Sequence, residues 1–214
     1  ALGMTPLPER NDCIAEISDA LTDPDLVAGL PDDARTVLGR LDLRELARPH
    51  LQALVEETGE RATHSAPGEQ DAVTVDFVQS SSSVQSVARV GRPSIAHATA
   101  TGKVMLAFGG AALPPGELSA HTSRTIVDRE LLAAELERVR RLGHASAVGE
   151  REEHLNALAA PIFGARGELA AIVGLQGPSS RFGRERMREA LPALLEHAEA
   201  ISHLLGWAPA PEPA

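Results

Sequence analysis

The pattern of apolar and polar positions predicts a helix over residues 43–57. Apolar side chains recur there at intervals of three and four residues, so they share one face. Asp42 is a suitable N-cap, and Glu45, three residues later, completes a capping-box pattern. Pro49 predicts a kink or a division of this helix, and Gly59 is expected to end it.

Three further helices follow from the same periodicity. The segment 129–142 has one apolar face, with Asp128 as its N-cap and Gly143 as its stop. A shorter helix is predicted over about 101–108, and a long one over 187–205 carries a single apolar stripe. We expect that stripe to pack in the core, with a subunit contact as the alternative.

Between the helices the pattern changes to one typical of strands. Residues 73–78 alternate as in a strand with one buried face, and 84–90 follow after a run of serines. Further strands are predicted at about 144–148, 155–163 and 169–176, the last two joined by a hairpin turn at 164–167. The order of elements predicts an α+β fold, a mostly antiparallel sheet of about six strands flanked by helices.

Composition narrows the class of protein. Hydrophobic residues make up 43% of the chain but aromatic residues only 2%, so the core is expected to consist of Ala, Leu, Val and Ile. The net charge of −10 disfavours non-specific binding of nucleic acid by the bulk of the chain. No membrane span and no signal peptide are recognisable, and the single Cys13 cannot form an internal disulfide. These features predict a cytoplasmic protein.

The two ends of the chain differ in composition from its middle part. Residues 1–41 hold eight acidic and three basic side chains, and two short helices are predicted at about 11–21 and 32–40. Residues 207–214 are rich in Pro and Ala and are expected to be a disordered tail. We therefore divide the chain into a short helical N-terminal segment (1–41), a main domain (42–206) and a tail (207–214).

The stretch 97–107 is the strongest candidate for binding chemistry. Small residues and Gly102 precede an apolar helical run, and Lys103 is the only lysine. A helix start leaves backbone N–H groups that favour an anion such as a metabolite carboxylate. A nucleotide phosphate loop would need Gly in place of His97 and Ser or Thr in place of Val104. An ordinary strand-to-helix turn remains the alternative.

Enzymatic chemistry has weaker support. The sequence contains neither a Gly-x-Ser-x-Gly nor a His-Glu-x-x-His motif, and its histidines are scattered, so we expect no enzyme, no cofactor and no metal site. Glu150, Glu152, Glu153 and His154 could supply acid and base groups, but such a charged run is more often a solvated turn.

Four stretches, at 42–60, 90–103, 140–163 and 176–181, resemble in order and spacing the effector-binding domain of the IclR family of bacterial transcription regulators. The resemblance implies a GAF-like fold whose ligand pocket lies between the sheet and the segment around Gly102 and Lys103. By motif position, the implied effector contacts are Ser86, Ala100, Thr101, Gly102, Ala147, Ala157, Gly174 and Gln176.

The resemblance also implies a ligand class. Ala147 stands where the family often has Asp, and Ala157 where it often has Cys, so this pocket is expected to be less polar. A small organic metabolite, and in particular an aromatic or otherwise partly apolar acid, is the expected effector. Its binding would shift the geometry of a dimer or tetramer and thereby the affinity for an operator.

The N-terminal segment leaves alternatives open. Residues 1–41 resemble a shortened helix-turn-helix, or they form a helical arm. Asp32 and Asp33 stand where a recognition helix would begin and would face phosphates, so DNA binding by this chain is expected to be weak. The competing functions are a sensor or scaffold that acts on a protein partner and, less favoured, an enzyme using Glu150 and His154.

Overall fold

The structure is a computed structural model, and it describes residues 43–80, 90–91, 93–113 and 115–208. Several predictions fall outside these residues. They are the helices at 11–21 and 32–40, the N-cap Asp42, most of the strand at 84–90, the contact residue Ser86, and the tail from 209 onward.

Four helices and six strands make up the described part of the chain. The element types agree with the α+β prediction. In chain order they are α1 (Leu43–Thr58), β1 (Arg61–Ala66), β2 (Ala72–Val78), β3 (Pro93–Ser94), α2 (Ala100–Phe108), α3 (Arg129–Leu142), β4 (Ala145–Val148), β5 (Leu155–Phe163), β6 (Leu169–Pro178) and α4 (Arg184–Leu204).

The helix boundaries follow from local capping. In α3 the Asp128 carboxylate accepts a hydrogen bond from the Leu131 N–H at 2.9 Å, and Gly143 ends the helix at φ 72°. In α1 the N–H of Gly59 bonds to the Val55 carbonyl at 2.9 Å, and Gly59 has φ 71°. The capping predictions at these ends are confirmed. Pro49 lies inside α1 but does not divide it.

The strands form one sheet in the order β3-β2-β1-β6-β5-β4, and every neighbouring pair is antiparallel. This confirms the predicted six-stranded antiparallel sheet. Strand β1 was not predicted, because its sequence Arg-Ala-Thr-His-Ser-Ala has no apolar alternation. It nevertheless lies inside the sheet between β2 and β6, and its residues from Arg61 to Ser65 are all buried.

Two apolar clusters cover the two faces of the sheet. Helices α1 and α4 pack on one face, against residues that include Ala62, Leu158 and Val173. Helices α2 and α3 cover the other face, against residues that include Ala159 and Ile172. The apolar stripe of α4 therefore packs mainly in the core, as expected. Among the described residues, no helix is long and apolar enough to cross a bilayer.

The C-terminal end of the described chain is also packed. The Trp207 ring lies 5.5 Å from the Phe163 ring, and the backbone N–H of Trp207 donates to the Ser202 carbonyl at 3.0 Å. Trp207 was assigned to the disordered tail on the basis of its proline-rich surroundings. Its contacts with α4 and β5 place it with the domain instead.

Candidate functional site

A row of residues crosses the sheet beneath α2. In the strand register Ala147 pairs with Ala157, Ala157 with Gln176, and Gln176 with Arg61. Because antiparallel partners project to the same face, these four side chains lie on the α2 side of the sheet. The row brings together three predicted contacts, Ala147, Ala157 and Gln176, and adds Arg61, which sequence reasoning missed.

A second row lies next to the first. Ala159 pairs with Gly174, Gly174 with Thr63, and Thr63 with Phe77. A methyl group on Gly174 would lie 2.8 Å from Thr63 Oγ1 and 3.7 Å from Thr101 Oγ1. Gly174 therefore lies directly under the first turn of α2, where any side chain would collide with Thr63.

The first turn of α2 presents backbone donors above these rows. Thr99 is the N-cap, and its hydroxyl accepts the Gly102 N–H at 3.0 Å. Its carbonyl accepts the Lys103 N–H, also at 3.0 Å. Helix geometry gives the N–H groups of Ala100 and Thr101 no acceptor within the helix. These two residues are the donors that an anion at this position would meet.

Gly102 has a packing role. A methyl group on its Cα would lie 2.5 Å from both Cα and O of Ala96. The turn before α2 therefore packs directly on this glycine, whose N–H is already used by the cap. Gly102 was predicted as an effector contact, but the geometry leaves the available donors to Ala100 and Thr101.

Lys103 is the centre of a buried ion network. Its side chain is 1% exposed, and Nζ donates to Glu150 Oε1 at 2.7 Å and to the Ser146 carbonyl at 3.1 Å. Glu135 lies 3.7 Å from the same nitrogen. Hydrogen bonding from Arg138 lowers the pKa of Glu135; desolvation opposes this shift and the charge of Lys103 adds to it. The only lysine thus ties α2 to the β4–β5 loop and to α3.

The acid and base groups suggested for an enzyme lie in two different environments. Glu150 is buried in the ion network, whereas Glu152, Glu153 and His154 are exposed. The exposed residues agree with the solvated turn that the charged run predicts. Glu150 Oε2 is buried and makes no hydrogen bond with the described residues.

A match to a known protein family decides which family the chain belongs to. Residues 35–203 match the family described as the bacterial transcriptional regulator IclR C-terminal domain. The chain belongs to the IclR family of bacterial transcription regulators. The resemblance inferred from the four sequence stretches is thereby confirmed, together with the role in transcription regulation that it implied.

Relatives within the IclR family include transcriptional regulators of Escherichia coli K12. The HTH-type regulators RhmR and KdgR are each 30% identical to this chain over 175 residues, or 79% of its length. The matches cover 67% of RhmR and 66% of KdgR, so the chain spans about two thirds of these relatives. Both relatives are transcriptional regulators.

Solved IclR-family structures confirm the fold. The Thermotoga maritima IclR structure gives a TM-score of 0.71 at 31% identity, covering 80% of this chain and 72% of that one. The C-terminal domain of E. coli KdgR gives 0.68 at 29% identity, covering 78% of this chain and all (100%) of that domain. The matched part of the chain is thus the C-terminal domain of an IclR-type regulator.

A separate groove lies on the opposite face of this IclR-type domain. It has a volume of about 370 Å³ and runs between the edge strand β4 and α4. Its lining includes Ser146, Val148, Met187 and Arg188, none of which was predicted as a contact. It is the natural competitor of the α2 site for a small ligand.

Proposed function

We propose that this chain is the effector-sensing part of an IclR-type transcription regulator, and that the effector binds between the first turn of α2 and the sheet. One observation carries the proposal. The N–H groups of Ala100 and Thr101 stand over a sheet surface on which Gly174 lies directly beneath the helix and Ala147, Ala157 and Gln176 form one row.

The same geometry indicates the class of effector. The alanines of the row offer apolar surface with little bulk, whereas the Gln176 amide offers both a donor and an acceptor. The α2 N–H groups favour an oxygen that carries negative charge. A small, partly apolar organic acid, such as an aromatic acid, fits these three features together.

Sensing requires that the ligand bind one arrangement of the regulator better than another. We propose that the chain forms a homo-oligomer, a dimer or tetramer, whose subunit geometry shifts when the effector orders α2 against the sheet. The operator affinity of the whole regulator would change by the ratio of effector affinities in the two arrangements.

Ligand-induced thermal stabilisation tests the site. A panel of monocarboxylic acids is screened against the wild-type protein by its unfolding temperature. Thr101→Trp places an indole over Gly174, and Ala157→Leu fills the centre of the row more gently. We expect both variants to lose the stabilisation that the best acid gives the wild type. Ala157→Leu serves as the milder test if Thr101→Trp disturbs α2.

Leu131→Trp is the control, because Leu131 lies on α3 and is 65% exposed. This variant should respond to acids like the wild type. Full stabilisation of correctly folded Thr101→Trp and Ala157→Leu proteins would place the ligand elsewhere, with the β4–α4 groove as the first candidate.

A sensor that acts on a protein partner without touching DNA is the second candidate function. The acidic excess of residues 1–41 and the net charge of −10 favour it over autonomous DNA binding. A mobility-shift assay of the full natural protein with its own upstream region separates the two. A salt-sensitive shift supports the DNA-binding regulator, whereas no shift at micromolar protein supports the partner-directed sensor.

A further inference from the structure

We propose that the acidic segment 9–33 of this chain docks in the β4–α4 groove and is held there by Arg184 and Arg188. The groove lies on the α1 and α4 face of the sheet, so the inference does not depend on the effector site beneath α2. Three observations favour this occupant: the apolar floor of the groove, the charge along its open side, and the reach of the chain.

The floor of the groove is apolar and only partly covered. Strand β4 ends the sheet order, and its Ser146 pairs with Leu158, which packs in the apolar cluster beneath α4. Val148, Met187 and Leu191 complete the floor. Val148 and Leu191 are half-buried. Apolar surface that stays in contact with water favours a partner that covers it.

The open side of the groove carries unbalanced positive charge. Arg184 and Arg188 lie one turn apart on α4, and both are exposed. Within the described part of the chain, neither arginine forms an ion pair or a hydrogen bond, and no carboxylate lines the groove. Arg186, which lies between them in sequence, pairs with Glu189. The groove is thus a cationic site on a chain whose net charge is −10.

The segment 9–33 has the complementary composition. It holds eight acidic side chains against a single basic one, Arg10, which gives a net charge of −7. Aliphatic residues such as Ile14, Ile17 and Leu26 are interspersed with the acidic ones. The carboxylates are attracted to the two arginines, and the aliphatic side chains gain by leaving water on the apolar floor. A single exposed ion pair contributes little, so we expect these contacts to act together.

The direction of α1 fixes where the preceding segment joins the domain. Nδ1 of His50, within α1, lies 2.9 Å from Nδ1 of His197, within α4. Glu60, just after α1, accepts a hydrogen bond at 2.7 Å from Arg181, just before α4. The two helices therefore run in opposite directions. Leu43, the first residue of α1, lies toward the C-terminal end of α4, whereas the groove lies toward its N-terminal half.

The segment is long enough to bridge that separation. Sixteen residues lead from Arg188 to Leu204, which corresponds to about 24 Å along a helix. An extended chain covers roughly 3.3 Å per residue, so about eight residues span this distance. Asp33 precedes Leu43 by ten residues, and the other carboxylates of the segment lie further ahead. Every carboxylate of the segment 9–33 is thus within reach of the groove.

A spin label on Cys13 tests the docking in the full chain. Cys13 is the only cysteine and belongs to the segment, so the label needs no substitution. Amide signals of the ¹⁵N-labelled protein are recorded with the nitroxide oxidised and again after its reduction. We expect the oxidised label to remove most of the signal intensity of Ser146, Val148 and Met187, which line the groove.

A second label covers the other half of the segment. It is placed by Ala28→Cys in a Cys13→Ser background, and we expect it to weaken the same groove signals. Leu131 lies on α3, on the opposite side of the sheet, and should keep its intensity with either label.

Paired variants show whether the two groove arginines hold the segment. Arg184→Gln combined with Arg188→Gln removes both charges, and we expect the groove signals to recover their intensity in this protein. Arg186→Gln combined with Arg166→Gln is the matched control, because these two arginines are exposed but do not line the groove. The control should lose groove signals like the wild type. The unfolding temperature checks that each variant folds.

Signal loss at the groove that only the Arg184 and Arg188 replacements reverse supports the inference. Groove signals that keep their intensity with both labels overturn it, a result that depends on neither arginine variant. Signal loss that survives the Arg184 and Arg188 replacements, or that the control removes equally, overturns it as well. Dilution with excess protein that carries neither isotope nor label separates the two possible sources of the segment. An effect that disappears on dilution would come from a second copy and would contradict docking within one chain.

Discussion

At the scale of single residues, small side chains set how closely α2 approaches its surroundings. Gly102 lets the turn at Ala96 pack against the first turn of the helix, and Gly174 makes room for Thr63 beneath it. A protein interior is packed too densely to absorb an added methyl group at such contacts without a shift. The position of the Ala100 and Thr101 N–H groups therefore depends on these two glycines.

Gly102→Ala tests that dependence. The new Cβ would lie 2.5 Å from two backbone atoms of Ala96, so either α2 or the preceding turn must move. Overpacking of this kind costs about 1–3 kcal/mol, partly offset by the better helix propensity of alanine. We expect a net loss of roughly 1–2 kcal/mol in the free energy of unfolding, measured by urea denaturation, together with weaker effector binding.

Gly183→Ala is the matched control. The nearest atom to its added Cβ is the Ser179 carbonyl oxygen at 3.8 Å, and Gly183 has a negative φ of −72°. This variant should lose less than about 1 kcal/mol, as is usual where no clash arises. Equal stability of the two variants would mean that the Ala96 contact does not constrain α2.

At the scale of elements, α1 and α4 pack through a histidine pair. Nδ1 of His50 lies 2.9 Å from Nδ1 of His197, whose other ring nitrogen is 3.3 Å from Glu57. Desolvation, with a smaller contribution from the charge of His197, lowers the pKa of His50 to about 4 from 6.5. Between these values the unfolded chain binds more protons at this site than the folded protein does.

The sign of the pH effect follows from that difference. Stability linked to His50 is fully present above about pH 6.5 and is lost as the pH falls toward 4. We expect the unfolding temperature to fall from pH 7 to pH 5, and to fall less in His50→Gln, which cannot titrate. His154→Gln, at an exposed position, should keep the wild-type profile. A His50→Gln profile parallel to the wild type would contradict the assignment.

The elements also show how far the sequence could predict the fold. The bounds of α3 and the β5–β6 hairpin were predictable, because caps, glycines and apolar periodicity agreed there. Strand β1 was not predictable, because its polar residues are buried only through pairing with β2 and with β6, and β6 is distant in sequence. Arg61 was missed for the same reason, because only the register with Gln176 brings it into the row beneath α2.

The pairing of β1 with β6 changes the expected polarity of the pocket. Alanine at positions 147 and 157 indicated a pocket less polar than is usual for the family. The strand register adds a buried arginine, Arg61, to the same row as these alanines. The row is therefore more polar at its β1 end than the sequence pattern indicated. The sequence pattern could supply the apolar part of this description, whereas the charged part required the pairing of β1 with β6.

At the scale of the whole domain, both faces of the sheet bury polar groups, but only one carries a helix start. On the α1 and α4 face, Glu60 pairs with Arg181 and Asp76 with Arg48. On the α2 face, Lys103 pairs with Glu150, and the first turn of α2 adds the N–H groups of Ala100 and Thr101, which have no acceptor within the helix. The central claim is that the effector binds on this face.

Amide NMR of the uniformly ¹⁵N-labelled domain tests this claim most directly. The protein is titrated with the acid of the panel that stabilises it most. If the effector binds on the α2 face, we expect the largest shifts at the N–H groups of Ala100 and Thr101 and at Gly174 beneath them. Shifts concentrated instead at Ser146, Val148 and Arg188, with α2 unaffected, would place the ligand in the groove of the opposite face and contradict the account.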